Sequence, residues 1–80
     1  MNIVLVEDRQ GQALLIQKII QKNSSHQAFF AKDAFDAYAL MKALNSVDVV
    51  ILDNELPYVN GIDFLQKLKD HECFKSIPVV

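Results

Sequence analysis

Two short, unbroken aliphatic stretches stand out from an otherwise mixed chain: Ile3-Val4-Leu5-Val6, and Val49-Val50-Ile51-Leu52 with Val47 just before it. Both are too short for a helix that buries itself, and both are rich in β-branched side chains. Each predicts a strand covered on both faces, the kind found inside a parallel sheet. Each also stops on acid, the first at Glu7-Asp8 and the second at Asp53. A carboxylate at the end of an apolar strand does nothing for packing.

Between these stretches the period of the apolar positions changes. From Gln10 to Lys22, Ala13, Leu15, Ile16, Ile19 and Ile20 cover one wide arc of a helical wheel, with Leu14 outside it. That arc is broader than one sheet contact needs, so this helix is expected to want a second neighbour. Asn23-Ser24-Ser25 forms a loop, and His26 to Ala31 predicts a further strand, at a sheet edge. Asp33 is placed to N-cap the next helix. There Ala37, Leu40, Met41 and Leu44 fall at i, i+3, i+4 and i+7, a single-face stripe, and Asn45-Ser46 ends it. After Asp53, Pro57 bars a continuing central strand and Asn60-Gly61 supplies a turn. A third helix is expected from Gly61 to Asp70, capped by Asn60, with Asp63 suiting its positive end and Ile62, Leu65 and Leu68 as its buried face. Cys73 to Ser76 is a loop, and Ile77-Pro78-Val79-Val80 predicts the first residues of a fourth strand.

The alternation β-α-β-α-β-α-β puts the chain in the α/β class, a parallel sheet with helices on its faces, as one domain over residues 1–80. Eighty residues bury only roughly 60–65% of their unfolded surface, so stability is expected to be marginal. A hydrophobic share of 51% is high for so small a body and predicts a dense core or apolar surface kept for a partner. A net charge of −2, with both signs mixed along the chain, argues against nucleic-acid or membrane-surface binding. Cys73 is alone, which fits a reducing cytoplasm, and no secretory signal or membrane span is visible.

The chemistry lies in the acids. If the first and third strands are sheet neighbours, Glu7, Asp8 and Asp53 converge at one rim, the place where open α/β sheets bind ligands. Three carboxylates that close raise one another's pKa unless protonated or bridged by a cation. Oxygen donors with little nitrogen or sulfur suit Mg²⁺. Read singly, Asp53 could equally be a turn or cap residue, and Glu7-Asp8 a solvated turn. His26 and His71 lack ligand spacing and are expected at the surface. Cys73 is expected as a small apolar filler, Lys67 and Lys69 as a solvated face, and Phe35 and Tyr38 lie off their helix's stripe.

Taken together, Ile3 to Asp8, Ala31 to Ala37, Asp48 to Pro57 with Asn60-Gly61, and Ile77 to Val80 resemble a bacterial two-component response regulator receiver domain, in order and spacing, over nearly the whole chain. The resemblance implies a doubly wound, flavodoxin-like sheet of order 2-1-3-4, ending before the family's fifth strand and last two helices, one of which packs beside the first helix. It implies that Asp53 is the phosphoacceptor in a phosphorelay, taking a phosphoryl group from a sensor histidine kinase. It implies Mg²⁺ held by Asp8, Asp53 and the backbone carbonyl of Glu55, with Glu7 acting through a water. It implies a signalling phosphoprotein of the cytoplasm and not an enzyme. The family's switch Ser or Thr and its Lys would fall beyond Val80, so these residues alone are expected to be impaired. Asn60 stands where an Asp is usual, Ala34 where a Gly is common. Arg9 stands where an acid or small residue is frequent, and is expected to neutralise part of the cluster and weaken Mg²⁺ binding. A different class of function also fits the residues: a module that is never phosphorylated and pairs with a second copy through an exposed strand edge or the first helix. An aspartyl phosphatase would want a second Asp where Glu55 stands, and a nucleotide-binding loop would want more glycine than Gly11.

Overall fold

The computed structural model describes residues 1–23, 25–44, 46–52 and 61–80, the side chains of 61 and 62 excepted. The described elements are strand β1 (Asn2–Val6), helix α1 (Gln10–Gln21), strand β2 (Gln27–Ala31), helix α2 (Ala34–Ala43), strand β3 (Val49–Leu52) and helix α3 (Gly61–Lys69). The strands form one parallel sheet of order β2-β1-β3. β1 takes the centre, where Ile3 to Val6 are buried with both faces of the strand covered. Its register runs from Asn2 opposite Gln27 to Val6 opposite Ala31 on one side, and from Ile3 opposite Val49 to Val6 opposite Leu52 on the other.

Side chains alternate along β1. Val4 and Val6 join Val50 in a core with Ala37 and Met41 of α2 and Phe64 and Leu68 of α3, sealed by Phe74. Helix α1 packs against β1 and β2. Its Ala13 is buried and its Gln17 amide donates to the Ala28 carbonyl at 2.9 Å. With Val4 and Val6 facing α2 and α3, Ile3 and Leu5 point to the other face, where α1 lies. Helices therefore cover both faces, the doubly wound arrangement expected from the sequence.

Three boundaries move for local reasons. β2 begins at Gln27 because the His26 N–H turns back to the Asn23 carbonyl at 3.0 Å. β3 begins at Val49 because Asp48 is engaged with the start of β1: its carboxylate accepts the Asn2 N–H at 2.6 Å and its own N–H reaches the Asn2 carbonyl at 2.8 Å. The fourth strand is a short ladder only. Val79 bridges Val50 in parallel, the Val50 N–H donates to Pro78, and the Leu52 N–H donates to Val80. Those bonds still place the last residues beside β3, in the position the order 2-1-3-4 requires.

Two expected packing faces are corrected. In α3 the buried residues among those described are Phe64 and, as expected, Leu68, one turn apart; Leu65 is half-buried, and the Ile62 side chain lies outside the described residues. In α1 only Ala13 is buried, and Leu15 and Ile19 are 60% and 61% exposed. The second neighbour that α1 was expected to want is not among the described elements. Cys73 is exposed and fills no core gap.

Candidate functional site

The parallel pairing of β1 and β3 ends on the rung Val6–Leu52. In sequence, the residues that follow these two strand ends are Glu7-Asp8 and Asp53. The chain crosses from β1 to β2 on one side and returns to β3 on the other. The carboxyl end between β1 and β3 is thus the switch point of a doubly wound sheet. Of the four residues expected to build the site, Glu7 and Asp8 are described. Asp53 and Glu55 lie outside the described residues, as do Pro57 and Asn60.

Glu7 is held more firmly than a rim residue would be. Its backbone N–H donates to the Ala31 carbonyl at 3.0 Å, extending the β1–β2 ladder past the strand end. The side chain is buried, 4% exposed for the residue as a whole. A buried carboxylate must be paired or bonded, and here Arg9 does both. The Arg9 backbone N–H donates to Glu7 Oε1 at 3.2 Å, and the Arg9 Nε lies 3.5 Å from the same oxygen. Asp8, one residue on, points outward and is exposed. The spacing of Glu7 and Arg9 around a turn was legible in the sequence; the burial of Glu7 was not.

Arg9 is also the N-cap of α1. It is extended, at φ −93 and ψ 105, and its side chain makes no capping bond. The first turn of α1 carries no acid. The positive end of that helix therefore rests against the acid pair of the preceding turn, with Glu7 taking the cap residue's own N–H.

Glu7 and Asp8 supply carboxylate oxygens and no nitrogen or sulfur, the donor chemistry of a hard divalent cation such as Mg²⁺. Among the described residues there is no group of three or more His, Cys, Asp or Glu able to hold a metal. Glu7 and Asp8 fit as two members of a larger set and do not make a site by themselves.

The remaining candidates stand elsewhere. His71 stacks on Phe74 at 4.0 Å between ring centroids, and Tyr38 meets both rings edge-on. Tyr38 is thereby part of the packing, while Phe35 is 58% exposed. His26 is half-buried, and its Nδ1 is buried with no hydrogen-bond partner among the described residues. Lys67 and Lys69 are exposed, as expected. A cavity of about 460 Å³ opens between the end of α2, Val47 and the loop bearing His71 and Phe74. It lies at the opposite end of the sheet from Glu7. No helix among the described residues is long and apolar enough to cross a membrane.

The profile of the response regulator receiver domain matches residues 3–80. The chain is 38% identical, over 99% of its length, to a protein-glutamate methylesterase/protein-glutamine glutaminase of Caulobacter vibrioides, of which it spans 22%. It is 24% identical over its whole length to the chemotaxis protein CheY1 of Helicobacter pylori, of which it spans 64%. Among solved structures, the non-phosphorylated HemR receiver domain from Leptospira biflexa superposes with a TM-score of 0.83 at 29% identity, over 98% of this chain and 60% of that one. The chain thus spans less than two thirds of each of these proteins. With a family match across nearly every residue and the same parallel, doubly wound sheet, the chain belongs to the response regulator receiver domains.

Proposed function

We propose that this receiver domain accepts a phosphoryl group on Asp53 from a phosphohistidine of a sensor kinase. One observation carries the reading: β1 and β3 are parallel neighbours whose last paired rung, Val6–Leu52, sits immediately before Glu7-Asp8 and Asp53. Asp53 follows Leu52 by one peptide bond. In the reaction, a carboxylate oxygen of Asp53 attacks the phosphorus. The nitrogen–phosphorus bond breaks, the electron pair returns to the imidazole, and an acyl phosphate is left on Asp53. Mg²⁺, when bound, offsets the repulsion between the attacking carboxylate and the phosphoryl oxygens.

The residues of the chain have separate parts. Asp8, exposed beside the switch point, would hold the cation directly together with Asp53 and the Glu55 backbone carbonyl, and Glu7, buried and with its backbone bonded to Ala31, would act through a water.

Acetyl phosphate with Mg²⁺ tests the chemistry without a kinase. The expected product is one phosphoryl group per chain, seen by intact mass and released by hydroxylamine, absent in Asp53→Asn and in reactions with chelator. A wild-type chain that stays unmodified under these conditions would refute the reading. The second reading, a module that pairs with its own copy, is favoured by the exposed Leu15 and Ile19 on α1. Light scattering showing monomer at all concentrations would count against it.

A further inference from the structure

We propose that Arg9 is a built-in competitor for the metal, holding Glu7 in the metal-free protein and lowering the affinity of the site for a divalent cation. The inference rests on the reading above and concerns what this chain adds to it. Glu7 is the one buried acid of the pair, so it needs a positive charge more than Asp8 does. The Arg9 guanidinium provides it, 3.5 Å from Oε1. The approach is from Nε at 3.5 Å, long for a charge-assisted hydrogen bond. The Arg9 side chain is 63% exposed while that of Glu7 is 5% exposed. The cation can therefore leave for solvent while the acid stays in place.

The second bond to the same oxygen comes from the Arg9 backbone, at 3.2 Å. That bond does not depend on the side chain. It keeps the turn and the carboxylate in position when the guanidinium moves or is removed. Arg9 thus has two separable roles: its backbone shapes the turn, and its charge occupies the carboxylate. A divalent cation arriving near Glu7 meets a positive charge already there. Its binding must displace or repel the guanidinium, and its apparent affinity falls by the strength of that ion pair.

Magnitude decides how large the effect is. A pair with one exposed partner is worth up to about 1 kcal/mol, which is about fivefold in a binding constant. The test is a Mg²⁺ titration of the full 80-residue chain, followed by the amide resonances of Glu7 to Gln10. Arg9→Ala and Arg9→Gln are compared with wild type and with Arg9→Lys, and circular dichroism checks that each is folded. The expected result is about fivefold tighter binding in the two neutral variants, and affinity close to wild type in Arg9→Lys, which restores the charge.

Equal affinity in all four proteins would overturn this inference and leave the metal site standing. Weaker binding in the neutral variants would also overturn it, since Arg9 would then support the site. Absence of any Mg²⁺-dependent shift, wild type included, would remove the metal site itself and the inference with it.

Discussion

Asp33 shows how one side chain turns a sequence signal into structure. It ends the loop after β2 in an extended conformation, and its Oδ1 accepts the Asp36 N–H at 2.8 Å. That bond satisfies one of the N–H groups that every helix start leaves open. The residue is 6% exposed, so solvent cannot easily substitute. Asp33→Ala is expected to cost about 1 kcal/mol, within a range of about 0.5–2, and Asp33→Asn much less. Urea unfolding followed by circular dichroism reads the difference, and equal midpoints for Ala and wild type would show that the cap contributes nothing. Asp33 was legible because capping is local: the residue, the N–H that donates to it and the helix start lie within four positions. Glu7 was half legible for the opposite reason. Its acidity and its place after a strand are local, but its burial is a tertiary property, as is the bond its backbone N–H donates to the Ala31 carbonyl of the neighbouring strand.

At the scale of elements, the helices divide by how much of their apolar face found a partner. α2 reads cleanly because its stripe has one period and one target: Ala37 and Met41 are buried, and Leu40 and Leu44 flank the same core. α3 is ambiguous in sequence because Ile62, Phe64, Leu65 and Leu68 define two overlapping arcs. The core chooses the arc holding the larger ring, and Phe64 is among its biggest fully buried side chains. Phe64→Ala is therefore expected to cost about 3–5 kcal/mol, enough to unfold much of so small a domain. Leu65→Ala is expected to cost about 1 kcal/mol. Paired urea melts give both values, and a larger loss at Leu65 would contradict the packing. α1 is the converse case. Exchanging Leu15 and Ile19 for Gln removes apolar surface that is already in water. Stability should move by no more than about 0.5 kcal/mol per site, while binding of a hydrophobic dye should fall. A collapse of the fold on that exchange would mean α1 buries these residues after all.

Across the whole molecule, topology was the most legible level. The β-α alternation announces parallel neighbours joined by helical crossovers, while the order of the strands comes from the family resemblance and not from the pattern of apolar residues. What neither could supply is the energetic link between the rim and the fold. That link is open to measurement, because Glu7 is tied into the β1–β2 ladder and Asp8 follows it directly. A cation that binds only the folded chain stabilises all of it at once. At ten times its dissociation constant, Mg²⁺ should raise the unfolding free energy by about 1.4 kcal/mol. Asp8→Ala should lose that increment, since it lacks the exposed ligand. Asp33→Ala should begin from lower stability yet gain the same increment, because its defect lies at a helix cap and not at the rim. Urea melts of the three proteins with and without Mg²⁺ separate the two kinds of loss. A wild-type midpoint that ignores Mg²⁺, or an Asp8→Ala midpoint that still responds, would detach the acid pair from metal binding.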